Sequence, residues 1–339
     1  MSQSRRGKPR GPWRLLGLVA VLGLGLTAAP AAAAPPADQA GAAQQVAPRM
    51  VNINTKMGYQ GAIGAGTGIV IDPNGVVLTN NHVIASATSI TARDIGNGQS
   101  YDGEVIGYDR NHDVAVVQLH GAQGLLAANI GDSNLVRIGD PTVSLGNAGG
   151  GGGAPSAVPG RVTALNQTVS AQDSLTGASE TLTGLIQLDA GIRPGDSGGP
   201  TVNDANQVIG MNTAASDKYQ LGRAEGFAIP INQAMDIAGQ IRAGIGSPTV
   251  HIGPTAFLGL GVTDAPGGGA LVKQVVPSGP AGAVGIREGD VISTVDGAPV
   301  NSATALTDIL DQHHPGDVVV VMLRDGSAPS VTLAVGPPG

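Results

Sequence analysis

The stretch Gly195–Pro200, which reads Gly-Asp-Ser-Gly-Gly-Pro, has the residue types that a nucleophilic serine requires. Glycine adopts positive φ without a Cβ penalty, so Gly195 and Gly198 let the backbone around Ser197 turn tightly. Such a turn can aim N–H groups at one point, and this oxyanion hole is often the largest contribution to catalysis of acyl transfer. The alternative is an ordinary loop in a chain with 54 glycines. Six fixed positions favour the nucleophile.

A serine nucleophile needs a neighbouring base that titrates near neutrality, which is a property of histidine. Of the six histidines, His82 alone ends a patterned β-hairpin. Residues 69–71 and 76–82 predict two strands, and the Asp-Pro-Asn-Gly sequence of residues 72–75 predicts the turn between them. The end of a rigid strand can hold a catalytic side chain, which favours His82 as the base over a solvated turn histidine.

The base needs a carboxylate that orients it, and Asp113 directly precedes the apolar run of residues 114–119, which predicts a buried strand. Asp102 and Asp109 lie nearby, but neither enters such a run directly. Asp113 could instead be a plain turn residue. The chain order His82, Asp113, Ser197 is typical of the chymotrypsin fold and differs from that of subtilisin and the α/β-hydrolases.

Four motifs together resemble the trypsin-like proteases of the HtrA (Deg) family, and among them the exported mycobacterial members. The resemblance covers nearly everything after about residue 47. It implies a mainly β protein, with a chymotrypsin-like double β-barrel protease domain over residues 48–242. The motifs are Thr79–Val83 (TNNHV), His112–Val116 (HDVAV), Gly195–Pro200 and Gly226–Pro230 (GFAIP).

The resemblance implies an endopeptidase that acts on unfolded or extended polypeptides. Ser197 would attack the scissile carbonyl, and the backbone N–H groups of Gly195 and Ser197 would receive the oxyanion. The strand that includes Met211, Asn212 and Thr213 would pair with the substrate backbone. The Thr213 hydroxyl resembles the group that supports the catalytic aspartate in this fold, although an ordinary strand threonine is an equal alternative.

Asp196 departs from the family pattern, because HtrA proteases usually carry asparagine there. In trypsin-type zymogens an aspartate at this position pairs with a new N-terminus, yet the chain shows no recognisable activation site before Val51. Arg193 is close in sequence and is an alternative partner for the Asp196 carboxylate.

The residues that would line the specificity pocket follow from the same resemblance. Gly191 lies six residues before Ser197, where trypsin-like enzymes place the base of the pocket. Gly226 and Ile229 resemble its wall. Because no acidic residue stands at the base, we expect cleavage after small or medium aliphatic residues.

A second domain follows the protease domain. Apolar residues at helical spacing from Ile231 predict a helix that Gly244 can end, and residues 243–255 read as a linker. Residues 256–339 resemble a PDZ domain, a β-sandwich with helices, including a helix from about Ser302 to Asp311. The resemblance makes Phe257, Leu258, Gly259 and Leu260 its carboxylate-binding loop, which binds C-terminal peptides of substrates or regulators. The alternative is a small β-rich domain without a ligand.

The N-terminus predicts export. Five basic residues precede an apolar run of 12 residues, Leu15–Leu26, and the small residues that follow suit signal peptidase. Residues 1–34 are therefore expected to be a signal peptide, with an uncleaved anchor as the alternative, and residues 35–47 a disordered leader. The mature protein would then lie outside the cytoplasm, secreted or in the periplasm or cell envelope.

Composition excludes several classes of function. Removal of the signal peptide leaves 13 Lys and Arg against 25 Asp and Glu, a formal net charge of −12, which argues against nucleic-acid binding. No cysteine is present, and no motif indicates a metal or other cofactor. The glycines 149–153 lack the lysine of a phosphate loop and read as a flexible surface loop. HtrA proteins often form homo-oligomers, but aromatic contacts for a trimer are not recognisable here. The runner-up function is a chaperone-like or peptide-binding protein with minor proteolysis.

Overall fold

The computed structural model describes residues 38–172, 179–213 and 225–338. The expected signal peptide, residues 1–34, lies outside the described residues. None of the helices in the described ranges has both the length and the apolar composition needed to cross a membrane.

The first six strands form a closed barrel. They run antiparallel in the order β5-β4-β1-β2-β3-β6, and the pairing of β5 with β6 closes the barrel. Alternation of buried and exposed residues is clearest in β4, and the inward side chains form an aliphatic core. The strands are β1 Met50–Met57, β2 Ala62–Asp72, β3 Val76–Thr79, β4 Ser89–Asp94, β5 Ser100–Asp109 and β6 Val114–Leu119.

The β2–β3 hairpin confirms the turn predicted from the sequence. Gly75 has φ +86° and its N–H donates to the Asp72 carbonyl over 3.0 Å. The hairpin leads from β3 directly into a short helix, α2 (Asn81–Ile84), which carries His82.

A second closed barrel follows, with the order β10-β11-β12-β9-β8-β7. Two barrels of six strands are the trypsin-like architecture, so the expected mainly β fold class is confirmed. The strands are β7 Pro141–Gly146, β8 Ser156–Gln172, β9 Ser179–Leu188, β10 Pro200–Val202, β11 Val208–Thr213 and β12 Gly226–Pro230.

Residues 39–46 correct the expectation of a disordered leader over residues 35–47. They form helix α1 (Gln39–Val46), and the Asp38 carboxylate caps it by accepting from the Gly41 N–H over 3.0 Å. Ala42 and Val46 are buried in a hydrophobic core to which both barrels contribute side chains. Helix formers with a cap and two buried apolar residues are enough to order this segment.

The expected linker, residues 243–255, contains more structure than its composition predicts. Helix α3 (Ile231–Arg242) ends as expected beside Gly244, which has φ +68°. Strand β13 (Val250–Ile252) then adds to β5 of the first barrel. The segment is therefore attached to the protease domain as well as leading away from it.

The second domain is built around its own core of aliphatic side chains. Its main sheet has the order β15-β16-β17-β19-β20, with β15 at an edge, and β14 pairs with β21. Ser302 caps the predicted helix, since its hydroxyl accepts from the Ala305 N–H over 3.0 Å. The elements are β14 Thr255–Phe257, β15 Leu260–Asp264, β16 Ala270–Val275, α4 Pro280–Ala283, β17 Val291–Val295, β18 Ala298–Pro299, α5 Ala303–Leu310, β19 Val318–Leu323, β20 Ser330–Thr332 and β21 Ala334–Gly336.

Polar contacts join the end of α5 to the first barrel. The Tyr108 hydroxyl donates to the Asp311 carboxylate over 2.7 Å, and the Arg110 guanidinium pairs with both Asp308 and Asp311. Burial raises the pKa of Asp311, and the charge of Arg110 opposes that rise.

Candidate active site

Three connections between strands place the predicted catalytic residues. His82 lies in the first turn of α2, after β3. Asp113 lies in the turn between β5 and β6, and Ser197 lies between β9 and β10. The first two residues therefore belong to the first barrel, and the serine belongs to the second.

His82 and Asp113 form a close pair. His82 Nδ1 lies 2.9 Å from Asp113 Oδ2, and the His82 backbone N–H donates to Asp113 Oδ1 over 3.0 Å. Only 1% of the aspartate side chain is exposed, whereas 40% of the imidazole is exposed. This arrangement fixes the ring and the Nδ1–H tautomer, which leaves Nε2 as the basic nitrogen.

Asp113 is held in a left-handed conformation, with φ +55°. The Asn80 side-chain amide donates to the Asp113 carbonyl over 3.0 Å, and the Asp113 N–H donates to the Arg110 carbonyl over 3.1 Å. Because non-glycine residues rarely adopt this conformation, these bonds stabilise a strained backbone that aims the carboxylate at His82.

Thr213 donates its hydroxyl to Asp113 Oδ2 over 3.1 Å. The hydroxyl therefore lies where the family resemblance implies.

The backbone of Asn212 is already paired within the protein and, contrary to the expectation, is not free to pair with a substrate. Its N–H donates to the Gly199 carbonyl over 2.7 Å, and its carbonyl accepts from the Gly198 N–H over 2.9 Å. Met211 pairs with β10 on one side and β12 on the other. Neither Met211 nor Asn212 offers a sheet edge, so the backbone available to a substrate begins at Thr213.

Thr67 of β2 joins the serine turn to the first barrel, and no local pattern in the sequence marks it. Its N–H donates to the Ser197 carbonyl over 2.8 Å, and its hydroxyl donates to the Gly195 carbonyl over 2.7 Å. A Cβ at Gly198 would lie 2.3 Å from the Thr79 hydroxyl, three residues before His82. The Ser197 turn thus lies directly against the strand that leads to the histidine.

Residues Arg193–Asp196 form a tight turn that positions the expected oxyanion donors. The Asp196 N–H donates to the Arg193 carbonyl over 2.9 Å, and Gly195 has φ +95°, as in a type II turn with proline before glycine. The Pro194 carbonyl accepts from the Gly149 N–H over 2.8 Å. Because a trans peptide points its N–H opposite to its carbonyl, the Gly195 N–H faces away from Gly149.

The Asp196 side chain is buried, with 2% exposed, and its partners differ from those considered above. Oδ2 accepts from the backbone N–H of Arg193 over 2.9 Å, and Oδ1 accepts from the Ser156 hydroxyl over 2.7 Å. Among the described residues no ion pair joins the Arg193 guanidinium to Asp196.

The expected specificity residues separate into two groups. A Cβ at Gly226 would lie 2.6 Å from Ile192 Cδ1, which places Gly226 beside the segment that contains Gly191. Ile192 was missed by the sequence analysis. In contrast, the side chains of Met211 and Ile229 belong to the hydrophobic core, with 0% and 1% exposed, and are not available to a substrate.

Phe257, Leu258, Gly259 and Leu260 border a cavity of about 150 Å³ between β15 and α5. The Leu258 carbonyl accepts from the Ala281 N–H, and the Gly259 carbonyl accepts from the Val276 N–H, over 2.9 Å each. The N–H groups of Gly259 and Leu260 therefore point away from those partners. Apolar side chains dominate the cavity wall, among them Leu258, Leu260, Val262, Leu306 and Leu310.

The same cavity also touches the protease domain. Ser86 and Pro338 lie on its border, and the Ser86 N–H donates to the Pro338 carbonyl over 2.7 Å. The Phe257 ring stacks on Tyr59 of the β1–β2 hairpin, with ring centroids 5.2 Å apart.

A second histidine–aspartate pair lies in the same turn as Asp113. His112 Nδ1 is 2.8 Å from Asp109 Oδ2, which raises the pKa of His112. The Thr249 hydroxyl also donates to this carboxylate, over 3.0 Å. The pair borders an open cleft of about 680 Å³ beside α3. In the described ranges, no three acidic or histidine side chains gather as a metal site would require.

Two protein-family models match the chain. The trypsin-like peptidase domain matches residues 66–211, and the PDZ domain matches residues 256–335. The first match covers most of the double barrel, from within β2 to within β11, and the second covers nearly all of the second domain.

Curated proteins similar to the chain are bacterial serine proteases. Serine protease PepD of Mycobacterium tuberculosis is 34% identical over 327 residues, which cover 90% of the chain and 67% of PepD. Periplasmic serine endoprotease DegP of Escherichia coli is 34% identical over 279 residues, which cover 79% of the chain. The chain spans only 56% of the length of DegP.

Solved structures of the HtrA-type protease AlgW share the fold. The AlgW complex with a tripeptide is 29% identical, with a TM-score of 0.52, and covers 89% of the chain and 98% of AlgW. The AlgW complex with a decapeptide is 26% identical, with a TM-score of 0.51, and covers 89% of the chain and 100% of AlgW.

Proposed function

The chain belongs to the HtrA-type serine proteases, and on this premise we propose that Ser197, His82 and Asp113 are its catalytic triad, hydrolysing peptide bonds of unfolded or extended polypeptides. The observation that carries the proposal is the buried Asp113 carboxylate, which lies 2.9 Å from His82 Nδ1, beside a serine turn bound to the same barrel by Thr67.

Acylation begins when Ser197 Oγ attacks the carbonyl carbon of the scissile bond. His82 Nε2 takes the hydroxyl proton, and the carbonyl π electrons move to the oxygen, which the N–H groups of Gly195 and Ser197 stabilise. The intermediate collapses as the C–N bond breaks, and His82 gives its proton to the leaving amine. Asp113 stabilises the imidazolium while the charge exists.

Deacylation repeats these steps with water. His82 takes a proton from the water as its oxygen attacks the acyl carbon, and then returns a proton to Ser197 Oγ as the ester bond breaks. The products are a carboxylic acid and the regenerated enzyme, so no cofactor is consumed.

Substrate side chains before the cleaved bond are small or medium aliphatic groups in this proposal. Ile192 Cδ1 lies beside Gly226, and Ile192 directly follows Gly191 in the chain. A long basic side chain would find no carboxylate among these three residues. The substrate backbone would add to the end of β11 at Thr213, where the strand edge is not occupied by β10.

The PDZ domain binds the C-terminal segment of a polypeptide in this proposal. Edge strand β15 can accept a peptide strand, the N–H groups of Gly259 and Leu260 can bind the terminal carboxylate, and the cavity can take an apolar last side chain. The AlgW structures are named as complexes with peptides, which is consistent with this use of the fold. Export of the chain is part of the proposal, since the DegP relatives are named periplasmic.

Cleavage of a peptide library that varies the residue before the scissile bond tests the proposal. We expect turnover after Val, Ala, Leu or Ile, and loss of turnover in Ser197→Ala. A profile dominated by Arg or Lys would contradict the proposed pocket. Casein left intact by the wild-type chain would contradict the protease function itself and would favour a peptide-binding protein.

A further inference from the structure

The buried Asp196 carboxylate is satisfied within the chain. Its two oxygens accept from the Arg193 N–H and the Ser156 hydroxyl over 2.9 and 2.7 Å. The surroundings leave little space for another partner, since a Cβ at Gly146 would lie 2.5 Å from Asp196 Oδ1. An ammonium group from a new chain terminus is therefore not needed to stabilise this carboxylate.

Both contacts act on the turn that holds the oxyanion donors. The bond to the Arg193 N–H and the bond from the Asp196 N–H to the Arg193 carbonyl close the turn from both sides. Ser156 fixes the other carboxylate oxygen to β8, which is a rigid barrel strand. Together they hold the Pro194–Gly195 peptide, whose orientation decides where the Gly195 N–H points.

We infer that Asp196 and Ser156 are positioning residues that keep the oxyanion hole of this chain formed without any activating cleavage. The inference rests on the proposed function, because it assumes that the Gly195 N–H is an oxyanion donor. Neither residue touches the substrate; each acts through the turn.

The hydroxyl of Ser156 can form this contact with either a carboxylate or an amide at position 196. Ser156 Oγ lies 2.7 Å from Asp196 Oδ1 and 3.0 Å from the Gly146 carbonyl, and one hydroxyl can donate fully to only one of them. With asparagine at position 196, the side-chain carbonyl would accept from the Arg193 N–H, and the side-chain NH₂ would donate to Ser156 Oγ. The Ser156 hydroxyl could then donate its own proton to the Gly146 carbonyl. The amide is therefore expected to replace the carboxylate well.

Steady-state kinetics of four variants tests the inference. We expect Ser156→Ala to lower kcat about ten- to hundredfold with little change in KM, because it removes a hydrogen bond to a buried charge. Affinity for a peptide boronic acid, which occupies the oxyanion hole, should fall in parallel. Ser156→Thr and Asp196→Asn should keep near-wild-type kcat. Ser170→Ala is the matched control, because Ser170 is on the same strand and bonds to Thr181 instead.

The possible outcomes separate the inference from the proposed function. Wild-type kcat in Ser156→Ala, or equal losses in Ser156→Ala and Ser170→Ala, would overturn the inference and leave the triad intact. Failure of Ser156→Thr to restore kcat would also overturn it. An intact mass showing that the boronate binds only chains cleaved just before Val51 would overturn the claim that no activation is needed. If the wild-type chain lacks Ser197-dependent turnover, the proposed function fails first.

Discussion

The turn from Asp109 to Asp113 carries the aspartates of two histidine–aspartate pairs that are almost identical in geometry. Nδ1 of His82 is 2.9 Å from Asp113, and Nδ1 of His112 is 2.8 Å from Asp109. In each pair the carboxylate is 1% exposed, and the imidazole is 40% exposed for His82 and 39% for His112. The resemblance extends further, since each carboxylate also accepts from a threonine hydroxyl and from the N–H of its own histidine.

The two pairs differ in what lies beside them. The serine turn is bound to the first barrel next to Thr79, which leads to His82. His112 instead borders an open cleft formed by α3 and the segment before β13. In the proposed mechanism, a buried aspartate that orients a histidine is therefore not sufficient. The second barrel must also fix the nucleophile and its oxyanion donors against the pair.

Replacing each of the two imidazoles in turn should give the largest difference in kcat. His82→Gln removes the proposed general base and should lower kcat about 10⁴- to 10⁶-fold, whereas His112→Gln should keep near-wild-type turnover. Peptide hydrolysis by both variants, with folding checked by circular dichroism, measures this. Comparable losses in the two variants would show that the pairs do not differ as described.

Local patterns in the sequence were sufficient to predict the turn before β3 and the buried strand after Asp113, although the strand expected to end at His82 stops at Thr79 and His82 lies in α2. The Asp72–Gly75 turn and the apolar run after Asp113 are signals within a few residues, and the structure has both. The hydrogen bond between Thr67 and Gly195 joins residues 128 positions apart, so no local pattern could reveal it.

Other parts of the fold were missed for related reasons. The Ala- and Gln-rich composition of helix α1 is typical of a disordered segment, and burial of Ala42 and Val46 against the barrels, which the composition does not reveal, stabilises the capped helix. Strand β13 has only three residues, and pairing with β5, far earlier in the chain, decides its conformation. The opposite charges of Asp196 and Arg193 suggested an ion pair between their side chains. The Asp196 carboxylate instead accepts a hydrogen bond from the backbone N–H of Arg193.

A smaller effect is expected at the two threonines. Thr213→Val removes a hydrogen bond to the catalytic carboxylate and should lower kcat about tenfold or more, while Thr249→Val should leave kcat unchanged and lower the free energy of unfolding by about 1–2 kcal/mol. Kinetics and urea unfolding of the two variants separate these outcomes. A loss of kcat in Thr249→Val would mean that the second pair also contributes to turnover.

The smallest effect concerns pH and stability. The hydrogen bond to Asp109 raises the pKa of His112, so protonation favours the folded state. This stabilisation is full below the unfolded-state pKa of about 6.5 and is lost as pH rises through the raised folded-state pKa. Because the ring is partly exposed, we expect less than about 1 kcal/mol after solvent screening.

Urea unfolding of wild type and His112→Gln at acidic and alkaline pH checks this expectation. The stability difference between the two proteins should be larger at the acidic pH. A difference that does not change with pH would mean that folding does not raise the pKa of His112.

Labelling with a fluorophosphonate, followed by peptide mapping, shows whether Ser197 is a nucleophile that His82 activates. The probe forms a covalent bond only with an activated serine, so we expect one adduct, on Ser197, that is lost in His82→Gln and kept in His112→Gln. An unlabelled wild-type chain, an adduct on another serine, or equal labelling of Ser197 in both histidine variants would show that the proposed triad is wrong.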